Sequence, residues 1–104
     1  MAMNDEQKTV ALPAEVDIFM REQIRKMLSL DGCSTLIVDL LQTRYIDGTG
    51  IGEIVRARNL AVAAGKKVIV LVNRSSQIER IFRIVELFKI LDIRLCEGTR
   101  NKCA

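Results

Sequence analysis

One glycine-rich segment, residues 47–52 with the sequence Asp-Gly-Thr-Gly-Ile-Gly, has the residue types and the spacing that could do chemistry. It follows an apolar run at 36–40 that predicts a buried strand, and it precedes residues with helical apolar spacing. The start of a helix offers exposed backbone N–H groups and the positive end of the helix dipole, which favour an anion. It can also present a hydroxyl, here that of Thr49, to a partner. We therefore expect any specific chemistry in this segment.

A nucleotide-binding loop is one interpretation of glycines that stand between a strand and a helix. The dinucleotide fingerprint needs its third glycine one position later, where Glu53 stands. It also needs an acidic residue at the end of the next strand, where Val72 and Asn73 stand. The Gly-Lys-Ser/Thr of a Walker loop is absent. The spacing therefore disfavours a nucleotide, and we expect no cofactor.

Catalysis and metal binding are also disfavoured by the residue types. Asp39 and Asp47 lie at opposite ends of the link that leads to the helix, and no base or nucleophile accompanies them. The chain has 3 cysteines without a Cys-x-x-Cys pair, and it has 0 histidines. This composition argues against structural zinc and against a nucleophile with a histidine base. We therefore expect no metal, no catalytic residue and no enzymatic activity.

The composition is that of one folded domain. The chain has 104 residues, of which 49% are hydrophobic and 28% charged. No apolar run approaches the roughly 20 residues of a membrane span, and the polar N-terminus has no apolar signal core, so we expect a cytoplasmic protein without membrane insertion. The net charge of +3 combines an acidic first half with a basic second half. Such blocks are typical of solvated helix faces, and few aromatics are available for stacking, so nucleic acid is not an expected partner.

Alternating strands and helices should position the glycine-rich segment. The sequence predicts strands at 9–12, 34–40, 68–72 and 93–96, and helices over about 17–30, 50–64 and 77–85. The two apolar strands should be neighbours in the sheet interior, covered on both faces. This alternation predicts an α/β domain with parallel crossovers.

The helix after the glycine-rich segment should have one apolar face. At about 100° per residue, that face comprises Ile51, Ile54, Val55, Ala57, Ala61 and Val62. Glu53 and Arg56 lie away from it, and Arg58 lies inside it, with its stem packed and its head snorkelling to solvent. Asp47 could cap this helix, which is compatible with a partner contact, and the glycines could serve a tight turn and close packing.

The order of these elements resembles the STAS domain, the fold of bacterial anti-sigma factor antagonists. The resemblance covers about residues 9–96, with 1–8 as a flexible N-terminus and 97–104 as a C-terminal tail. It is carried by the strand at 36–40, by residues 45–52, by Gly65 before the next strand, by 78–82 and by 12–18. It implies an α/β fold with a small mixed or parallel sheet of about four strands, packed with three to four helices.

The resemblance also implies a non-enzymatic partner switch. Members bind an anti-sigma factor of the serine/threonine kinase type and release a sigma factor, until the kinase phosphorylates a hydroxyl at the helix start. A phosphate adds charge and a desolvation cost to the contact surface, which weakens the complex. The residues implied to contact the partner are Asp47, Gly48, Thr49, Gly50, Gly52, Glu53 and Arg56.

Two positions depart from this family pattern. The hydroxyl that should follow the aspartate is replaced by Gly48, and Thr49 stands one residue later, where a helical side chain points about 100° away. Thr49 as the acceptor, a permanently unmodified antagonist, and a scaffold protein without phosphorylation all stay open. Glu53 stands where the family usually has an apolar residue on the exposed first turn, so we expect a more polar contact.

The main alternative within the same fold is a cytoplasmic STAS subunit or scaffold of a transporter complex. Such a subunit would bind a transport ATPase and would need no phosphorylation. The family's first hairpin strand and its C-terminal helix are reduced or absent in this chain, so one sheet edge should be bare. A bare edge invites pairing with another chain, and a homodimer is one outcome that the sequence leaves open.

Overall fold

The structure is a computed structural model that describes residues 6–97 and the backbone of residues 102–103. The strands are β1 (Gln7–Ala11), β2 (Glu15–Val16), β3 (Thr35–Asp39), β4 (Tyr45–Ile46), β5 (Lys67–Asn73), β6 (Asp92–Glu97) and β7 (Lys102–Cys103). The α-helices are α1 (Arg21–Met27), α2 (Gly48–Ala63) and α3 (Gln77–Ile84), and two 3₁₀ helices lie at Ile18–Met20 and Leu87–Lys89.

The strands form one main sheet and one short separate pair. The main sheet has the order β1-β3-β5-β6-β7, in which the first four strands pair in parallel and β7 runs antiparallel to β6. Strands β2 and β4 form a parallel pair of their own. The predicted α/β fold with a small, mostly parallel sheet is therefore confirmed.

The two central strands, β3 and β5, are fully buried on one face. Leu36 pairs with Val68 and Val38 with Val70, and all four side chains belong to the same core cluster as the buried residues of the three helices. The alternate residues of these strands, Ile37, Ile69 and Leu71, are only half-buried and lie outside that cluster. The prediction that these strands are covered on both faces is therefore wrong for the second face, because the helices supply their buried side chains to the first.

Local capping chemistry sets the helix ends. Ser76 caps α3 by accepting a hydrogen bond from the Glu79 backbone N–H at 3.1 Å. Gly65 ends α2 with a φ of 72°, a left-handed conformation that favours glycine, and Lys66 N–H then bonds back to the Ala61 carbonyl at 2.7 Å. Helix α2 begins at Gly48, two residues before the predicted start.

The chain ends only partly belong to the described structure. Strand β1 begins at Gln7, inside the segment predicted as the N-terminus, of which residues 1–5 lie outside the described part. The backbone of Lys102 and Cys103 pairs with β6, and the other residues beyond Glu97 lie outside the described part. Within the described residues, every helix is too short or too polar to cross a membrane.

Candidate protein-binding site at the start of helix α2

The short β2–β4 pair brings two helix starts together. Glu15 lies opposite Tyr45 and Val16 opposite Ile46, and both strands run in the same direction. The Asp47 N–H donates to the Val16 carbonyl at 3.1 Å, which extends the pairing by one bond. Because parallel strands end at the same edge, the segments that follow β2 and β4 leave the pair side by side.

An aspartate begins each of the two following helices. Asp17 Oδ1 accepts from the Phe19 N–H at 3.1 Å and caps the Ile18–Met20 3₁₀ helix. Asp47 Oδ1 accepts from the Gly50 N–H at 3.1 Å and caps α2. The predicted capping role of Asp47 is therefore confirmed.

Gly50 sets how closely α2 approaches the β2–β4 pair. A Cβ atom at Gly50 would lie 2.6 Å from Val16 Cγ1 and 2.7 Å from Ile46 Cγ1, distances that real Cβ contacts do not reach. Gly50 is buried, so its expected place on a partner-facing surface is wrong. Its contribution is to let the first turn of α2 pack directly on this pair.

Four of the predicted contact residues lie in one stripe along the outside of α2. Gly48, Gly52 and Arg56 are exposed and follow one another at intervals of four residues, which places them on the same helix face. A Cβ at Gly48 or at Gly52 would meet nothing within 4 Å. Thr49 lies beside them, is half-buried, and its hydroxyl has no hydrogen bond to another described residue. We call Gly48, Thr49, Gly52 and Arg56 the α2 strip.

Glu53 is buried, not exposed as the sequence suggested. Only 6% of the residue is accessible. Its two carboxylate oxygens accept from Arg25 Nε at 3.0 Å and from Arg25 Nη2 at 2.8 Å, and Arg21 Nε lies 3.9 Å away. The expectation of a polar partner contact was based on exposure, and it is wrong because α1 supplies the charges that neutralise this carboxylate.

The hydrogen bonds from Arg25 hold the pKa of Glu53 below its ordinary value. Burial acts in the opposite direction, and the charges of Arg25, Arg56 and Arg21 reinforce the lowering. Glu53 is therefore ionised at neutral pH. The ion pair joins α1 to the first turns of α2, so that the 3₁₀ helix, α1 and the α2 strip keep one arrangement.

The buried face of α2 is rotated from the predicted one. Gly50, Ile54, Ala57 and Ala61 form its centre, whereas Val62 is 60% exposed. The prediction that Val62 packs in the core is wrong, because the close approach at Gly50 and the ion pair of Glu53 turn that side inward. Arg58 is half-buried and donates to Asn59 Oδ1 at 2.9 Å, as a packed stem with a snorkelling head predicts.

Asp39 and Asp47 each accept a hydrogen bond from a backbone N–H group. Asp39 Oδ1 accepts from the Leu41 N–H at 2.8 Å, at the end of β3. Asp47 is engaged in its cap. Among the residues that the structure describes, no group of three or more histidine, cysteine, aspartate or glutamate side chains could hold a metal ion.

Known proteins share this fold. The chain is similar to an anti-sigma factor antagonist, SpoIIAA in its unphosphorylated form, with 20% identity and a TM-score of 0.66 over 96% of this chain and 87% of that one. It is also similar to a candidate anti-sigma factor antagonist from Thermotoga maritima, with 19% identity and a TM-score of 0.68 over 88% of this chain and 80% of that one. The family model of the STAS domain matches residues 8–99. The chain therefore belongs to the STAS domain family.

Proposed function

We propose that this protein is a non-enzymatic, cytoplasmic partner switch that binds an anti-sigma factor of the serine/threonine kinase type and so releases a sigma factor. Membership of the STAS family and the fold shared with two proteins described as anti-sigma factor antagonists support this role. The observation that carries it is the α2 strip, in which Gly48 and Gly52 leave open space above the first turn of a fixed helix. A partner backbone can approach closely at these two positions, because glycine has no side chain there.

Thr49 is the residue of the α2 strip that could be phosphorylated. Its hydroxyl lies at the N-terminal end of α2, where the helix dipole favours an added negative charge. The phosphate would stand beside Gly48 and Gly52, on the surface that the partner covers. The added charge and its desolvation would weaken the complex, so the modification would act as the off signal.

A phosphorylation assay with matched variants tests the proposal. The protein is incubated with the cognate anti-sigma factor kinase and ATP, and its mass is measured for wild type and for Thr49→Ala. We expect one phosphoryl group on the wild type, none on Thr49→Ala, and binding of the unmodified protein by the kinase. A wild-type protein that neither binds the kinase nor is modified by it refutes the proposed function.

Gly48 favours a second candidate function. It stands where the family places its switch hydroxyl, and a chain without that hydroxyl could serve as a permanently unmodified STAS subunit or scaffold of a transporter ATPase complex. In that case the α2 strip would contact a transport ATPase and Thr49 would carry no phosphate. Affinity purification of the chain from the cells that make it separates the two functions, since it recovers either an anti-sigma factor kinase or a transport ATPase.

The sheet edge at β1 supports self-association as a further proposal. Within the described residues β1 pairs only with β3, so its outer backbone groups can accept a strand from a second copy. Sedimentation equilibrium of the wild type and of a Thr9→Pro variant tests this. A monomeric mass for the wild type at high protein concentration removes the homodimer from the proposal.

A further inference from the structure

Two cysteines stand opposite each other at the β7 edge of the main sheet. In the antiparallel pairing of β6 with β7, Cys96 is the register partner of Cys103. The α-carbons of directly opposite residues in such a pair lie about 4.5–5.5 Å apart, within the range of about 4.4–6.8 Å that a disulfide spans. The backbone therefore places these two cysteines where their sulfur atoms can be joined.

The two cysteines whose side chains the structure describes differ in their thiol state. Cys96 is disulfide-bonded and fully buried. Cys33 is also buried, but its thiol is free and donates to the Leu30 carbonyl at 3.4 Å. The chain has 3 cysteines, so Cys103 is the residue left within it to pair with Cys96.

Strand β7 depends on this bond more than the other strands of the main sheet depend on any one contact. It has 2 residues, and its register with β6 consists of the pairs Cys96 with Cys103 and Glu97 with Lys102. Strand pairing of this length is marginal on its own, because fixing the backbone costs conformational entropy. A covalent bond between the strands removes part of that cost. The state of the two thiols should therefore decide whether β7 stays on β6.

The end of β6 also contacts the turn that leads into α3. The Arg74 N–H donates to the Cys96 carbonyl at 2.8 Å, and Arg74 Nε donates to Glu97 Oε2 at 2.8 Å. Both residues of β6 that pair with β7 are thus held on their other side by Arg74. This end of β6 is a fixed support, against which the segment that carries Cys103 can be bound or released.

We propose that Cys96 and Cys103 are a reversible redox pair, which a low-molecular-weight disulfide such as oxidised glutathione converts from two thiols into one disulfide. The Cys103 thiolate attacks one sulfur of the external disulfide, which forms a mixed disulfide and releases one thiol. Cys96 then loses its proton and attacks the sulfur of Cys103, which closes the bond and releases the second thiol. The protein gives up two hydrogen atoms, and the external disulfide is reduced to two thiols. The proposal is independent of the proposed function.

Burial sets the order of these two steps. Cys96 has 0% of its residue accessible, so an external disulfide cannot reach its sulfur. The exchange therefore begins at Cys103, and Cys96 completes it. Cys33 is equally out of reach, with 1% accessible, and serves as the matched control.

Thiol mapping of the full chain tests the proposal. The reduced protein is equilibrated with oxidised glutathione, quenched with acid, unfolded and alkylated, and its mass and peptides are then measured. We expect wild type and Cys33→Ser to lose about two mass units through a bond between Cys96 and Cys103, which dithiothreitol reverses. In Cys96→Ser we expect glutathione to stay attached to Cys103, and in Cys103→Ser we expect neither a bond nor an adduct.

The other outcomes of the mapping count against the proposal. A wild type that keeps all 3 thiols in oxidised glutathione overturns it, as does a bond that joins Cys33 or two copies of the chain. An adduct on Cys96 in Cys103→Ser overturns the proposed order of the steps. Cys103→Ser leaves the described core unchanged and should melt with the reduced wild type, so its failure to react is separated from a failure to fold.

Limited trypsin digestion tests what the bond does to β7. Arg100 and Lys102 are the cleavage sites between the two cysteines. We expect cleavage there to be about tenfold or more slower in the oxidised wild type than in the reduced wild type, because the bond suppresses local opening. Cys103→Ser should be cleaved at the same rate in both buffers. Equal rates for the oxidised and reduced wild type overturn the proposed control of β7.

Discussion

Arg25 on α1 and Glu53 on α2 form a two-pronged ion pair, with both carboxylate oxygens accepting from the guanidinium at 3.0 and 2.8 Å. The carboxylate is buried and the guanidinium is half exposed. We expect Glu53→Gln to lower the free energy of unfolding by about 1–3 kcal/mol, because a charged hydrogen bond is lost at a buried position. Urea unfolding measures the change.

The matched control for this variant is Glu86→Gln. Glu86 pairs with Lys89 at 3.2 Å on the surface, where an ion pair contributes about 1 kcal/mol or less. A loss in Glu53→Gln no larger than that in Glu86→Gln would show that the α1–α2 ion pair does not stabilise the fold.

The same ion pair makes stability depend on acid. The pKa of Glu53 is lower in the folded protein than in the unfolded chain, so its contribution is complete above the ordinary glutamate pKa of about 4.3 and is lost as pH falls through the folded value. Wild type should therefore lose stability below about pH 4 more steeply than Glu53→Gln. The variant keeps part of the dependence, because Glu79 and Asp92 also have lowered pKa values. Parallel stability curves for the two proteins would contradict this prediction.

Gly50 and Gly52 should respond to the same substitution in opposite directions. A methyl group at Gly50 would collide with Val16 and Ile46, so Gly50→Ala is expected to destabilise the protein by about 1–3 kcal/mol. Gly52 faces open space, and Gly52→Ala should stabilise the helix by about 0.5–1 kcal/mol. Thermal melting of the two variants beside wild type makes the comparison. Equal melting temperatures for all three proteins would rule out the close packing at Gly50.

The position of Gly48 allows the family's switch hydroxyl to be restored. A Cβ atom there meets nothing within 4 Å, so Gly48→Ser should fold like wild type. In a Thr49→Ala background, we expect Gly48→Ser to regain phosphorylation by a partner kinase, since the introduced hydroxyl follows Asp47 directly. Mass analysis after incubation with kinase and ATP detects it. A doubly substituted protein that binds the kinase and stays unmodified would show that the position of the hydroxyl is not what limits phosphorylation.

Features decided by local chemistry were predictable from the sequence. The cap formed by Asp47 and the end of α2 near residue 64 depend on residues within about one helical turn, and the structure confirms them. The apolar runs at β3 and β5 likewise predicted neighbouring strands. The resemblance to the STAS domain, based on the order of these elements, is confirmed by the family match.

Features decided by distant residues were not predictable in the same way. The partner of Glu53 is Arg25, which lies 28 residues earlier in the chain, and no local sequence pattern indicates that pair. Strands β2 and β4 have two residues each, too few to show a period, yet they position both helix starts. The rotation of α2 follows from the ion pair of Glu53 and from the packing of Gly50 on the β2–β4 pair. The buried face of α2 therefore differs from the one expected from apolar spacing alone.

The contact of Gly50 with Val16 and Ile46 limits what the first turn of α2 can do. The turn has no room to sink inward, and Asp47 fixes its beginning, so a group attached at Thr49 could only project outward. The backbone would then be the same in the protein modified at Thr49 and in the unmodified protein. Modification would then change only the chemistry of the surface, and any conformational change would occur in the molecule that binds it.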